Sequence, residues 1–196
     1  AVLDARSARA ALAAAVLAAV AVVVHTASGS AARRFDLAQN RSFGALTFAR
    51  EGSWSGAYDF VALADPQLGM LHGGPDSRND ASWDEELALL QLAVARVNAL
   101  RPRPRFLLVS GDLINRFPEP SDEARALRSR QVASFRSTLA KLDPSIELVL
   151  QPGNHDLGDR PAAAALADWF GWFGDDFYSF WVGGVLYIAI DSQYYA

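Results

Sequence analysis

The 196-residue chain contains no cysteine. Its absence excludes disulfide bonds, zinc sites held by thiolates and a cysteine nucleophile. It does not decide the cellular compartment, because a cytosolic protein and a secreted protein without disulfides look alike in this respect. Any metal centre in this chain has to be built from oxygen and imidazole ligands.

The chain also lacks a continuous basic stripe. Its 18 Lys and Arg residues are outnumbered by 22 Asp and Glu residues, which gives a net charge of −4. Because binding to a phosphate backbone needs clustered positive charge, we expect no nucleic-acid partner. The arginines that do cluster are interrupted by acids and prolines, and we expect them at solvated helix ends: Arg101, Arg103, Arg105, Arg125, Arg128 and Arg130.

No apolar run is long enough for a membrane span. The longest, residues 10–24, is shorter than the roughly 20 residues that a spanning helix needs. Arg6 and Arg9 precede it and small polar residues follow, an order typical of a secretory signal peptide. We predict residues 1–32 as a cleaved leader and a secretory or extracellular location, supported by the sequon that begins at Asn40. A disordered extension or an organelle transit peptide, with a cytoplasmic or organellar location, is the alternative.

The remaining length suits one domain with a sizeable core. We predict residues 33–56 as a linker or edge segment, in which Phe43, Leu46 and Phe48 indicate a short strand. Residues 57–196 form the domain itself. Within them, apolar runs at 58–65, 106–110 and 146–151 predict three buried parallel strands.

Capping signals place helices between these strands. Ser82, with Glu85 three residues later, predicts the start of a helix of about 17 residues. Ser121 opens a second helix, and Asp159 caps a third with Pro161 in its first turn. After that helix, residues 177–182 and 185–190 flank a Gly-Gly pair, which predicts a β-hairpin with a primed turn. The order of elements predicts an α/β fold.

Each predicted parallel strand ends at a polar side chain. Asp65 and Gln67 follow the first, Asp112 the second and Asn154 the third. Because the carboxyl ends of parallel strands meet at one edge of a sheet, we expect these four side chains to converge. Their oxygens suit Mg²⁺, Mn²⁺, Fe or Zn²⁺, completed by His and water.

Such a site favours phosphoester hydrolysis. Two divalent cations, bridged by Asp112 from the central strand, can hold a phosphate and activate a water for in-line attack. His155, next to Asn154, is placed to donate a proton to the leaving group. Either Asp156 or Asn115 can fix its tautomer.

Three motifs resemble those of the calcineurin-like metallophosphoesterases: Asp65-Pro66-Gln67, Gly111-Asp112 and residues 153–156. Further matches at 174–176, 181–186 and 192–195 are closest to the calcineurin-like phosphoesterase domain-containing protein 1 branch, and the resemblance covers about residue 56 to the end. It implies an α/β/β/α sandwich and a metal-dependent serine/threonine phosphatase acting on a phosphorylated substrate, including phosphoproteins. Asp65, Asp112 and Asn154 would be ligands and His155 the acid.

The sequence departs from that family in two ways. Gln67 stands where most members have a histidine ligand, and the sequence ends before the blocks that supply later histidines. We therefore expect an N-terminal fragment, a βαβαβ portion plus a hairpin, that binds metal poorly by itself. A noncatalytic binding or scaffold protein, and a phosphodiesterase or nucleotide hydrolase, are the competing interpretations.

Overall fold

The computed structural model describes residues 37–54, 56–73 and 82–195. The predicted leader, residues 1–32, lies outside them, so its cleavage and the secretory location stay predictions. Among the helices in the described ranges, none combines the length and the apolar character that crossing a membrane requires.

Three parallel strands form the central sheet. They are β1 (Val61–Ala64), β2 (Phe106–Ser110) and β3 (Glu147–Gln151), hydrogen-bonded in the order β1-β2-β3. The register pairs Ala64 with Ser110 and Ser110 with Gln151, each the last residue of its strand. All three strands therefore end level at one edge, and the residues that follow them leave the sheet side by side.

The helices and a hairpin complete the described chain. The helices are α1 (Phe48–Glu51), α2 (Met70–Gly73), α3 (Asp84–Ala99), α4 (Asp122–Leu139), α5 (Asn154–Leu157) and α6 (Ala163–Phe173), with a 3₁₀ turn at Ser192–Tyr195. The hairpin strands are β4 (Tyr178–Val182) and β5 (Val185–Ala189), which pair antiparallel.

Side chains of the central sheet alternate between two cores. Leu107 and Val109 of β2 belong to a core that contains apolar residues of α3, α4 and α6. Phe106, on the opposite face, packs with Phe180 and Val182 of the hairpin. Helices thus cover one face and a second, smaller sheet covers the other, which confirms the predicted α/β class and its βαβαβ unit followed by a hairpin.

The hairpin turn has the predicted form. Gly183 has φ +54° and Gly184 has φ +83°, the pair of positive values that a type I′ turn requires and that only glycine adopts without strain.

The short strand predicted through Phe43, Leu46 and Phe48 is wrong. The chain turns here, since the Leu46 N–H donates to the Phe43 carbonyl at 3.1 Å, and Phe48 begins α1 with an exposed ring. Phe43 and Leu46 are buried against the hairpin, and the Leu46 carbonyl accepts from Trp181 at 2.8 Å. The spacing of Phe43 and Leu46 therefore reflects their packing against the hairpin, and these residues do not form a strand.

Strand β1 is shorter and less buried than its apolar sequence predicts. It begins at Val61, where the apolar run begins at Tyr58, and its residues alternate between half-buried and exposed. The physical reason is its place at the edge of the described sheet, where β2 covers one side only.

Two helix starts differ from the predictions. Trp83, not Ser82, occupies the N-cap of α3, because the Ser82 hydroxyl is engaged with the Asp84 carboxylate at 3.1 Å. Helix α6 begins at Ala163, after the predicted start, and its first turn has no side-chain cap. Asp159, the predicted cap, instead accepts a hydrogen bond from Asn154.

Helix α4 begins with a side-chain cap at Ser121, whose hydroxyl accepts from the Ala124 N–H at 3.1 Å. We expect Ser121→Ala to lower the free energy of unfolding by about 1 kcal/mol, because an orphan N–H loses its acceptor, and Ser121→Asp to retain stability. Urea unfolding measures both. Ser129→Ala is the matched control, since Ser129 is exposed within the same helix and Ala favours helix there. Equal stabilities for the two alanine variants would contradict the cap.

Candidate metal centre

Main-chain hydrogen bonds continue past the ends of the strands and hold the three loops together. The Asp65 N–H donates to the Gly111 carbonyl at 3.2 Å and the Gln67 N–H to the Asp112 carbonyl at 2.9 Å. On the other side, the Gly111 N–H donates to the Gln151 carbonyl at 3.0 Å. The loops therefore do not splay apart, and the predicted ligands stay at one edge of the sheet.

Three of the predicted ligands have left-handed backbone conformations. The φ angle is +50° at Asp65, +36° at Gln67 and +48° at Asp112. Outside a turn at Asn40 and Arg41, no other non-glycine residue of the described ranges has a positive φ. Such conformations cost on the order of 1–3 kcal/mol each and persist only where the surrounding structure imposes them. The strain is thus concentrated where the sequence predicts the site.

The loops after β2 and β3 meet at Asp112 and Gly153. A Cβ on Gly153 would lie 2.3 Å from Asp112 Oδ1 and 2.5 Å from the Asp112 nitrogen, closer than any real contact. In addition, Asp112 Oδ1 accepts a hydrogen bond from the His155 N–H at 2.9 Å. Only glycine at position 153 allows this approach, which sets Asn154 and His155 against the central carboxylate.

The Asp65 carboxylate lies in the field of the Asp112 charge. Burial and the neighbouring Asp112 charge raise the pKa of Asp65, and His155 acts in the opposite direction. Two like charges at one edge repel, and a cation between them would remove that repulsion.

The two predicted amide ligands have hydrogen-bonded side-chain nitrogens. Gln67 Nε2 donates to Asn115 Oδ1 at 3.3 Å, and Asn154 Nδ2 donates to Asp159 Oδ1 at 3.0 Å. In a side-chain amide the oxygen is the atom that can bind a cation. Two carboxylates and two amide oxygens fit a hard divalent cation. Among the described residues, however, no group of three or more His, Cys, Asp or Glu side chains is placed to hold a metal ion.

The His155 side chain is buried and held on two sides. Its Nδ1 lies 2.5 Å from the main-chain carbonyl oxygen of Asn115, which can only accept, so the ring carries its proton on Nδ1. The Phe117 ring meets the imidazole edge to face, with centroids 4.6 Å apart. Of the two residues predicted to fix the tautomer, Asn115 makes the contact, through its backbone. Nε2 is the nitrogen that remains for chemistry.

Asp156 has a different contact. Its carboxylate accepts from the Gly153 N–H at 2.9 Å and from the Leu113 N–H at 3.2 Å, and so ties the loop after β2 to the loop after β3. Burial raises the pKa of Asp156 to about 7, and these two hydrogen bonds oppose that effect. Asp156 therefore holds the loops that present the site.

The sequence did not predict two buried charged side chains, Arg128 and Glu86, that hold main-chain groups of the loops at the site. Arg128 is 2% exposed, and its guanidinium donates to the carbonyls of His155 at 2.9 Å and Asp156 at 2.6 Å, so the prediction of a solvated helix end is wrong for it. Glu86 of α3 accepts from the Gly69 and Leu71 N–H groups and holds the loop after Gln67. Arg128 lies four residues after the buried Ala124, and that helical spacing was the available signal.

An apolar cavity of about 280 Å³ adjoins the edge at Asp65 and Gln67. Its walls come from β1, α2 and α3, and they include Leu63, Met70 and Leu90. The Asp65 carboxylate thus has apolar surface beside it.

Comparison with known proteins gives one consistent set of relatives, although no family model matches the chain. The chain is 40% identical over 162 residues to the serine/threonine-protein phosphatase CPPED1 of Danio rerio, which covers 81% of this chain and 50% of the relative. The Homo sapiens protein of the same name is 36% identical over 165 residues, 82% of this chain and 51% of the relative. The chain spans about half the length of the curated relatives it matches. These similarities confirm the resemblance predicted from the motifs.

The contact between Gly153 and Asp112 predicts the effect of a single methyl group. We expect Gly153→Ala to lower the free energy of unfolding by about 1–3 kcal/mol, because the methyl overlaps the Asp112 carboxylate and must displace it. Gly171→Ala is the control, since a Cβ at Gly171 in α6 meets no atom within 4 Å, and Ala stabilises a helix by about 0.5–1 kcal/mol relative to Gly. Chemical denaturation of both variants checks this, and a Gly153→Ala protein as stable as Gly171→Ala would disprove the close approach.

Proposed function

We propose, on the premise that this chain is related to the CPPED1 branch of the calcineurin-like phosphoesterases, that its protein is a metal-dependent phosphomonoesterase of the serine/threonine phosphatase type. The substrate class is a phosphorylated protein. The observation that carries this proposal is the level carboxyl edge of the sheet, where Asp65, Asp112 and the His155 backbone are in electrostatic or hydrogen-bonded contact.

The residues that would hold the cations are Asp65, Gln67, Asp112 and Asn154. Asp112 lies on the loop of the central strand and between the other two loops, so it is the ligand we expect to bridge two ions. Bound divalent cations would neutralise the phosphate and lower the pKa of water so that it can act as nucleophile at neutral pH. Which of Mn²⁺, Mg²⁺, Fe and Zn²⁺ binds depends on the full set of ligands. Gln67 contributes an amide oxygen to that set, and an amide oxygen binds less tightly than an imidazole nitrogen.

His155 would act as the general acid. Its Nδ1–H is committed to the Asn115 carbonyl, so proton exchange with the substrate is confined to Nε2. In the protonated ring, Nε2–H donates to the oxygen of the departing serine or threonine side chain, which leaves as the neutral hydroxyl. Contact with Phe117 and the short bond to Asn115 keep the ring from rotating, which preserves the direction of the donated proton.

The same groups could serve a phosphodiester or a nucleotide, and the fold could serve a binding protein without turnover. These readings differ in what the protein hydrolyses. A phosphodiesterase would cleave bis(p-nitrophenyl) phosphate, a nucleotide hydrolase would release phosphate from nucleotides, and a binding protein would do neither.

We expect the full-length protein to release phosphate from a phosphoserine peptide when Mn²⁺ is present and to lose this activity on chelation. Asp112→Asn should abolish the metal-dependent release, because the central carboxylate loses its charge. His155→Asn should lower kcat by about 10²–10⁴-fold, the range for a lost general acid.

The matched control for these variants is Asp59→Asn. Asp59 is an exposed aspartate just before β1, at the amino end of the sheet, and its neutralisation should leave kcat unchanged. Full activity of Asp112→Asn, or phosphate release that is insensitive to chelation, would refute the proposed function.

A further inference from the structure

Helix α4 buries three polar side chains, Arg128, Gln131 and Thr138, and the first two lie near the loops of the site. Arg128 and Gln131 are 2% and 0% exposed, and they lie three residues apart, so they are neighbours on one face of the helix. The same helix also buries apolar side chains before and after this pair: Ala124, Leu127, Val132, Phe135 and Leu139. Arg128 and Gln131 are thus buried among apolar neighbours, where their polar groups need hydrogen-bond partners.

Gln131 contacts the peptide unit that holds His155. Its Oε1 accepts from the Arg116 N–H at 3.1 Å. That N–H belongs to the same peptide plane as the Asn115 carbonyl, which accepts from His155 Nδ1. Because a peptide unit is planar, fixing the direction of its N–H also fixes the direction of its C=O. Gln131 therefore determines where the acceptor of the imidazole proton points.

Arg128 fixes the chain just after that peptide and also the segment that carries His155. Its Nη1 donates to the Arg116 carbonyl as well as to the His155 carbonyl, and its Nη2 donates to the Asp156 carbonyl. One guanidinium thus joins the loop that supplies the imidazole's acceptor to the loop that supplies the imidazole itself. Its planar fork of donors reaches these carbonyls together, which an ammonium group could not do.

Burying these groups is costly unless their polar atoms are hydrogen-bonded. Burial lowers the pKa of Arg128, as expected for a cation moved away from water. Among the described residues, neither Gln131 Nε2 nor Arg128 Nε has a hydrogen-bond partner. Apolar side chains of similar volume at buried polar positions are often neutral or stabilising. The polar pair is therefore explained by the groups it orients.

We infer that Arg128 and Gln131 form a clamp on the Asn115–Arg116 peptide and that this clamp holds the His155 imidazole in its Nδ1–H tautomer and in a fixed orientation. Both are positioning residues, since they act through the peptide. The clamp affects turnover only through the acid role of His155, so its catalytic consequence rests on the proposed function.

The tautomer can be observed directly, without turnover. In the full-length protein labelled with ¹⁵N-histidine, long-range ¹H–¹⁵N spectra in alkaline buffer with Mg²⁺ report which ring nitrogen of neutral His155 carries the proton. A His155→Asn variant assigns the signal. We expect Nδ1–H in the parent protein. In Gln131→Leu the Nε2–H form should become populated, because the peptide loses the acceptor for its N–H and can rotate.

Three further variants separate orientation from stability. Gln131→Glu keeps an acceptor oxygen at the same reach and should restore the Nδ1–H form. Arg128→Lys keeps the charge without the fork and should populate Nε2–H even if Gln131→Leu does not fold. Leu139→Ala removes a fully buried side chain from the far end of the same helix, so it should lower stability and leave the tautomer unchanged.

Kinetics give the second readout. We expect Gln131→Leu and Arg128→Lys to lower kcat by roughly ten- to a hundredfold through a misplaced imidazole, with KM little changed. Arg130→Met, at an exposed position of the same helix, should match the parent.

Retention of the Nδ1–H form in both Gln131→Leu and Arg128→Lys would overturn the clamp, as would an equal tautomer shift in Leu139→Ala. A tautomer that responds as expected in a protein without phosphatase activity would support the clamp and refute the proposed function.

Discussion

The contact between the loops that leave β2 and β3 is the constraint on which the site depends. Gly153 lies so close to Asp112 that no side chain fits between them, and the His155 N–H donates to the same carboxylate. The parallel register brings the strand ends level. The contact between Gly153 and Asp112 then brings the two loops that follow the strands together. It sets the backbone of Asn154 and His155 against the Asp112 carboxylate, while the hydrogen bonds of the loop after β1 add Asp65 from the other side.

The rest of the domain serves to hold that edge in a strained conformation. Left-handed backbone angles at Asp65, Gln67 and Asp112 are unfavourable in isolation and need support from their surroundings. Support comes from side chains buried beneath the loops, namely Glu86 under the first loop, Asp156 between the second and third, and the Arg128–Gln131 clamp behind His155. Each makes hydrogen bonds to main-chain groups, so the site depends on polar contacts in places where the fold could have used apolar ones.

The sequence contained much of this arrangement. Apolar runs that end in Asp65, Asp112 and Asn154 predicted the strands, their direction and the edge where the polar groups meet, because parallel pairing leaves little choice. The helix bodies and the Gly-Gly turn also followed from local chemistry. Predictions from local sequence were wrong where contacts in the folded structure engage the residue differently. Ser82 and Asp159 are good caps in isolation, but each is engaged by a neighbouring side chain. Arg128 has the composition of a solvated helix residue, and only its spacing from buried neighbours indicates that it points inward.

The proposed function requires this edge of the sheet to bind a divalent cation, and calorimetric titration with Mn²⁺ measures that binding directly. The full-length protein should bind Mn²⁺ with heat that saturates, and Asp65→Asn should weaken that binding, because one of two neighbouring carboxylates loses its charge. Asp59→Asn, at the opposite end of β1, should bind as the parent does. Binding of equal strength in Asp65→Asn and Asp59→Asn, or no saturable heat in the parent protein, would contradict a metal centre at this edge.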